Sequence, residues 1–299
     1  MNQSDVIVIF GEVLIDRFEN GTERRGGAPF NVAWHLQGFG LKTLFISRVG
    51  RDKAGESLLK DMAQWDLDTG GIQIDDLKPT GYVKVLNQKT NPAFEIKDKV
   101  AYDYIDSAAL NQFVINKNPK MIYHGTLALR HQTSYRALES ILEINKNTPV
   151  FFDINLRSPW WRGDLLQHCL QTAAYLKCNK DELLTLLPYQ KDVRLAAKHA
   201  LQEHQLKSVI VTLGEDGALL CLDDDTCFSA PVQKTDKFIN SVGAGDAFSA
   251  VMILGMIHGW PPEITLKRAN TFASLICQIE GAVPDIKDFY DHLLNNWGL

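Results

Sequence analysis

Five short runs constrain this chain most: "VIVIF" at 6–10, "TLFISRVG" at 43–50, "MIYHG" at 121–125, "VFFDIN" at 150–155 and "SVIVTLG" at 208–214. They are apolar nearly throughout and rich in β-branched and aromatic residues, as strands covered on both faces are. Between the later runs lie stretches of helical periodicity, "SYRALESILEIN" (134–145), "LLQHCLQTAAYL" (165–176) and "VRLAAKHALQEH" (193–204). Strand and helix in alternation predict an α/β fold of parallel strands joined by right-handed crossovers, with helices on both faces. Ligands of such sheets bind beyond the carboxyl ends of the strands. The residues just after each run are therefore the candidates for chemistry.

One region breaks the alternation. From about 80 to 105, "TGYVKVLNQKTNPAFEIKDKVAYD" alternates apolar and polar residues around "NQKTNP", as a half-exposed hairpin does. "LIDRFENGTERRGG" (14–27) suggests a second short pair around "ENGT". Both segments, about 12–25 and 80–105, read as a small lid sheet on one edge of the main domain. A surface hairpin without a role is the plainer alternative. No repeat or Pro/Ser-rich linker divides the 299 residues, so a single domain spanning 1–299 is expected.

The formal net charge of -5 argues against a nucleic-acid binder, which carries a basic patch. Five cysteines without a C-x-x-C pair suit reduced thiols and make a zinc site unexpected. The N-terminal "MNQSDVIVIFGE" lacks the basic start and long apolar core of a signal peptide, which predicts a cytoplasmic protein.

"INSVGAGDAFSA" (239–250) places Gly243, Ala244 and Gly245 before Asp246 and a run as apolar as "FSAVMILGMI". The run has the length of a core helix and falls short of the roughly 20 residues that a membrane span needs. Its start would gather unpaired N–H groups and the positive end of the helix dipole, which together bind anions. Asp246 there is either an ordinary capping acid or a group with work to do.

Other strand ends carry polar residues. Asp16 follows the first run, and Gly26 and Gly27 allow close backbone approach. Asn31 falls in the first turn of the next helix, either as a cap or as a partner for sugar hydroxyls. "DINLRSPWW" carries Asp153, Asn155 and Arg157 at alternate positions. Asn179 and Glu182 stand three apart, on one helical face or as a capping box. Thr212, Gly214 and Gly217 sit at a strand end and turn that a plain hairpin explains equally well.

Taken in order, "GEVLID", "GGAPFNVA", "RVGRDKAGE", "DINLR", "NKDE", "VTLGEDGA" and "VGAGDAF" make the chain resemble the ribokinase-like, or PfkB, family of carbohydrate kinases over essentially its whole length. The resemblance implies a three-layer α/β/α sandwich with a mostly parallel sheet of ten or so strands and a small β lid over the sugar. It implies ATP as donor, Mg²⁺ as its companion and no membrane or nucleic-acid partner. No G-x-x-x-x-G-K-[ST] occurs, so the phosphates need a cradle other than a P-loop.

By resemblance, Asp246 takes the proton from a primary hydroxyl as it attacks the γ-phosphorus. The amides of Gly243, Ala244 and Gly245 then hold the charge on the transferring group. Glu182 and Asn179 organise Mg²⁺ largely through water. Asp16, Gly26, Gly27 and Asn31 grip the sugar, while Thr212, Gly214, Gly217 and Asn270 border the nucleotide. Phe94 in "NPAFEI" stacks over the sugar ring or fills the lid's own core. Arg157 pairs with an acidic sugar or with ATP phosphates.

Many relatives carry Asp-Thr where this chain has Asn240-Ser241, and that Asp often contributes to a monovalent-cation site. Asn keeps a carbonyl oxygen without the charge, which leaves a requirement for K⁺ open. The motif wording is closest to bacterial fructokinases, with 2-keto-3-deoxygluconate, ribose and adenosine kinases as alternatives. A kinase-like binding protein that has lost catalysis is the other class, against which stand Asp246 and both glycines. Relatives also form lid-to-lid dimers, so a homodimer is open.

Overall fold

A computed structural model describes residues 6–86, 93–110, 118–232 and 237–299. The chain forms two compact units: one reaches to Pro119 and includes Ala128–Thr148, and the other comprises Lys120–Leu127 and Pro149–Leu299.

In the first unit the run at 6–10 becomes strand β1 (Val6–Phe10), buried along its length. It pairs in parallel with β4 (Lys42–Gly50), Val8 opposite Leu44, and β4 pairs in parallel with β5 (Ile72–Asp75). Helix α1 (Ala28–Gly38) returns the chain from the small sheet to β4 and buries Phe30, Val32, Trp34 and Leu36. Helix α2 (Lys53–Gln64) is capped by Asp52, which accepts from Gly55 N–H at 2.9 Å and from Thr80 N–H at 2.8 Å. That second bond ties α2 to the chain entering the small sheet. Helix α3 (Gln132–Ile144) also belongs to this unit.

The small sheet consists of β2 (Leu14–Phe18), β3 (Glu23–Gly26), β6 (Gly81–Leu86) and β7 (Ala93–Ile96), in the order β3-β2-β6-β7. The pair around "ENGT" is present, with Asp16 opposite Arg24. β6 alternates buried and exposed positions as expected, and β7 pairs with it antiparallel. The intervening "NQKTNP" lies outside the described residues. The expected second arm does not run on to 105. β7 ends at Ile96, and Ala101–Tyr104 forms a 3₁₀ turn anchored by Ala101 N–H on the Pro79 carbonyl at 2.8 Å. Val100, Ala101 and Tyr102 are all fully buried, so this segment fills the core instead of extending the sheet.

The second unit orders β8 (Met121–His124), β9 (Val150–Asp153), β10 (Tyr175–Asn179) and β11 (Ser208–Thr212) in parallel, and β12 (Ala218–Leu222) and β13 (Cys227–Ala230) continue antiparallel. Its helices are α4 (Gly163–Thr172), α5 (Lys180–Leu186), α6 (Val193–His204), α7 (Ala244–His258), α8 (Pro262–Ile276) and α9 (Asp288–Trp297). α7 and α8 pack together; a Cβ on Gly255 would strike Thr265. The α/β class is as expected.

Two expectations fail here. The helix expected over 165–176 stops at Thr172, and Tyr175–Asn179 is a parallel strand. "YLKCN" reads as helix because Lys177 interrupts the apolar run, yet in the fold that lysine is only 7% exposed. The five cysteines are not all reduced. Cys221 and Cys227 face each other across the antiparallel β12–β13 pair and form a disulfide, leaving Cys169, Cys178 and Cys277 free. Among the described residues no helix is long and apolar enough to cross a membrane.

Candidate active site

The apolar run after Asp246 is α7, which buries Ala247 to Gly255 without a break. Gly243 is its N-cap, with φ 76° and ψ -6°, and no side chain caps the turn. The left-handed angle disfavours any residue with a Cβ. Space demands glycine too, since a Cβ would sit 2.6 Å from the Ala282 Cα. The start of α7 therefore has no capping oxygen from its N-cap side chain, and backbone N–H groups gather there. Ala244 N–H reaches the Ser241 carbonyl only at 3.3 Å. Asp246 lies in the first helical turn, half-buried, where the dipole favours a carboxylate. A Cβ on Gly245 would lie 3.3 Å from the Lys177 Nζ.

Lys177 is a residue the sequence reading missed. Its strand neighbour across the β10–β9 ladder is Asp153, and Nζ donates to both carboxylate oxygens at 3.0 and 3.1 Å. Both side chains are buried. The Ser249 hydroxyl, from α7, donates to Asp153 Oδ2 at 2.7 Å and lies 3.0 Å from the Gly245 carbonyl oxygen. Tyr123 OH also reaches Asp153 Oδ2, at 3.3 Å. Burial works against the ammonium, but Asp153, then Glu182 and Asp246, outweigh it and hold the Lys177 pKa above the ordinary lysine value. A lysine centred in a buried strand beside a strand ending in Asp is the one sequence signal for this pair.

Asn179 and Glu182 form a complete capping box at the start of α5. Asn179 Oδ1 accepts from Glu182 N–H, and Glu182 Oε2 accepts from Asn179 N–H, both at 2.8 Å. Glu182 Oε1 accepts from Leu156 N–H at 2.8 Å. The capping alternative therefore describes what these side chains do within the protein. Each carboxylate oxygen keeps a second lone pair for a water.

In the strand register Asn179 stands beside Thr212, and Thr212 beside Ala218, so these residues share the carboxyl edge. The β11–β12 connection is indeed a hairpin turn, with φ 62° at Gly214 and 94° at Gly217. A Cβ on Gly217 would run into the Ala230 carbonyl, and Asn270 Nδ2 donates to that same carbonyl at 2.7 Å. Gly217, Ala230 and Asn270 thus meet at one point. Arg157 does not join the group and is exposed. Asn240 is occupied on both sides: Nδ2 donates to the Ile279 carbonyl at 3.0 Å, and Oδ1 accepts from Val242 N–H at 2.8 Å.

In the first unit, Asp16 and Gly26 meet directly; a Cβ on Gly26 would overlap Asp16 Oδ2 and lie 3.0 Å from its Cγ. Gly27, at φ 110°, is the N-cap of α1, and its Cβ would approach the Glu12 carbonyl carbon to 3.1 Å and the Val13 Cα to 3.2 Å. Asn31 is buried in the first turn of α1. Phe94 belongs to β7, but its side chain lies outside the described residues, so neither expectation for it is addressed. Asp98, Asp103 and His131 form a cluster of metal-ligand types. Asp103, however, is held by the Arg130 guanidinium at 2.7 and 2.8 Å, which makes the cluster an ion-pair network.

An α/β chain with an uncapped Gly-rich helix start and an adjacent acid has the parts of a group-transfer enzyme acting on anionic substrates. Residues 4–288 match the model of the pfkB family carbohydrate kinases, and the chain belongs to that family. It is a sugar kinase, a phosphotransferase. The sugar kinase PH1459 of Pyrococcus horikoshii is 28% identical over 295 residues, covering 93% of this chain and 91% of that one. The ATP-dependent 6-phosphofructokinase of Thermoanaerobacterium thermosaccharolyticum is 25% identical, with 95% and 91% covered. Among solved structures, PH1459 in complex with ATP aligns with a TM-score of 0.83 over 97% of both chains, at 28% identity. Fructokinase with bound ATP from Xylella fastidiosa shares the fold at 19% identity, with a TM-score of 0.86 over 99% of this chain and all of that one.

Proposed function

We propose that this sugar kinase transfers the γ-phosphoryl group of ATP to a primary hydroxyl of a small ketose, D-fructose. The observation that carries the chemistry is the left-handed, uncapped Gly243 followed by Asp246 in the first turn of α7. In this reading Asp246 accepts the hydroxyl proton while the sugar oxygen bonds to the γ-phosphorus and the bond to ADP breaks. The N–H groups of Gly243, Ala244 and Gly245 stabilise the charge on the transferring group. The sugar is gripped by Asp16 and Asn31, with Gly26 and Gly27 admitting it close to the backbone. The nucleotide is bordered by Thr212, Gly214, Gly217 and Asn270. PH1459 and the Xylella fastidiosa enzyme, both solved with ATP, support the choice of donor.

Glu182 and Asn179 fit a magnesium ion held through its water shell, because their oxygens already accept backbone N–H groups and retain only secondary lone pairs. When bound with the nucleotide, Mg²⁺ neutralises phosphate charge. Fructose as acceptor rests on the wording of "GGAPFNVA" and "DINLRSPWW". The whole chain acts as one kinase domain in the cytoplasm, where ATP is plentiful, with the small sheet as its lid and as a surface for pairing two chains.

The test is a coupled ADP-release screen with fructose, ribose, 2-keto-3-deoxygluconate, adenosine and hexose phosphates. Fructose should give the highest kcat/KM. A hexose phosphate exceeding it tenfold would move the assignment to phosphosugars, and ATP turnover indifferent to every sugar would remove the kinase reading.

A further inference from the structure

We infer that Lys177 is a positioning residue for phosphoryl transfer, whose ammonium, clamped by Asp153 beside Gly245, holds the 243–246 turn in place. The inference rests on the reading of Asp246 as the base.

A lysine in the middle of a buried strand is a poor choice for packing, because removing an ammonium from water is costly unless it is paired. Here the pairing is built by register: Asp153 ends β9 directly opposite Lys177, and both its oxygens contact Nζ. Two links then run from this pair to the turn. The ammonium packs against Gly245, where even a methyl group would come within 3.3 Å of Nζ. Ser249, three residues after Asp246 on α7, donates its hydroxyl proton to Asp153 Oδ2 at 2.7 Å, which ties α7 to the same carboxylate.

The groups facing the ammonium are Asp153 from β9, Glu182 from α5 and Asp246 from α7. Tyr123 from β8 reaches it through Asp153. On its own strand, Cys178 carries a thiol that burial pushes well up, so it stays neutral. Lys177 thus sets one positive charge against three carboxylates next to the place where phosphate charge must arrive.

The experiment compares wild type, Lys177→Met, the Lys177→Met/Asp153→Asn double variant and Asp246→Asn. It reads kcat and KM, together with urea unfolding and calorimetric ADP binding. Lys177→Met should lower kcat about tenfold or more, with sugar KM and ADP affinity little changed. It should also lose stability, because the buried Asp153 charge loses its counter-ion. The double variant removes that charge and should recover stability while keeping the low kcat. If Lys177→Met fails to fold, the double variant alone decides. A double variant with wild-type stability and kcat within threefold of wild type overturns the inference and leaves a structural ion pair. An Asp246→Asn enzyme that keeps its activity overturns the base reading itself, and so marks that failure apart from a failure of Lys177.

Discussion

The two ends of α7 provide an internal comparison for the proposed anion-binding turn. Gly243 at the N-cap and Gly259 at the C-cap both adopt left-handed angles, φ 76° and 66°. A Cβ at Gly259 would meet nothing within 4 Å, whereas at Gly243 it would lie 2.5 Å from the Ala282 Cβ and 2.6 Å from its Cα. Gly259→Ala therefore carries only the backbone penalty of a left-handed L-residue, about 1–2 kcal/mol. Gly243→Ala carries the same penalty plus an overpacking cost of about 1–3 kcal/mol, because the Ala282 backbone must move. Gly243→Ala should thus be less stable than Gly259→Ala by about 1–3 kcal/mol in urea unfolding.

Activity separates the two further. The 15 residues of the helix span about 22 Å, so Gly259→Ala should leave kcat unchanged. In the proposed reading Gly243→Ala shifts the donors to the transferring phosphoryl group, and loss of one such donor costs roughly 10²–10³-fold. Equal stabilities for the two variants would refute the close approach to Ala282. A Gly243→Ala enzyme with kcat within threefold of wild type would refute the role of the turn.

Other outcomes are open to direct measurement. Asp246→Asn should cut kcat by ~10²–10⁴-fold while calorimetry shows nucleotide and sugar binding largely intact; retention within threefold would remove Asp246 as base. Asp16→Ala should raise the sugar KM, and a change confined to the KM for ATP would place Asp16 in the wrong subsite. Burial holds the His124 imidazole down at about 4, against 6.5 for the free side chain. The unfolded chain therefore binds the extra proton first: stability from this group is full above pH 6.5 and is lost as pH falls towards 4, by about 3 kcal/mol in all. His124→Gln should flatten that part of the acid-unfolding curve, and an unchanged curve would exclude His124 as its source. Asn240→Asp would set a carboxylate beside the Ile279 carbonyl that the amide now contacts at 3.0 Å. Initial rates should then become dependent on KCl, at fixed ionic strength, where the parent enzyme is indifferent; strong K⁺ activation of the parent would refute this.

Much of the fold was legible because strands buried on both faces leave unbroken apolar runs, and 6–10, 43–50 and 208–212 all proved to be strands. Gly27 and Gly243 were legible for a related reason, since each marks a backbone approach that leaves no room for a side chain, whereas Gly26 makes room for the Asp16 side chain. β10 escaped because its central residue is charged. A lysine reads as solvent-facing until its partner is known, and the partner Asp153 lies 24 residues away on another strand. The disulfide escaped for a similar reason. The β12–β13 pairing that opposes Cys221 to Cys227 was not read from "CLDDDTC", where three consecutive acids look like a solvated loop. Contacts within one element were visible in the pattern, and contacts set by register between elements were not.

The same distinction explains how a kinase tolerates the carboxylates of Asp153, Glu182 and Asp246 around one lysine. Glu182 has both oxygens engaged by the Leu156 and Asn179 N–H groups. Asp153 has both engaged by Lys177, and a third bond from Ser249. Their charge is therefore neutralised or delocalised inside the protein, where a low dielectric makes each pairing strong. Asp246 lies half-buried in the first turn of α7, where the helix dipole favours a carboxylate. In the proposed reading, the two held acids form the frame and Asp246 takes the proton.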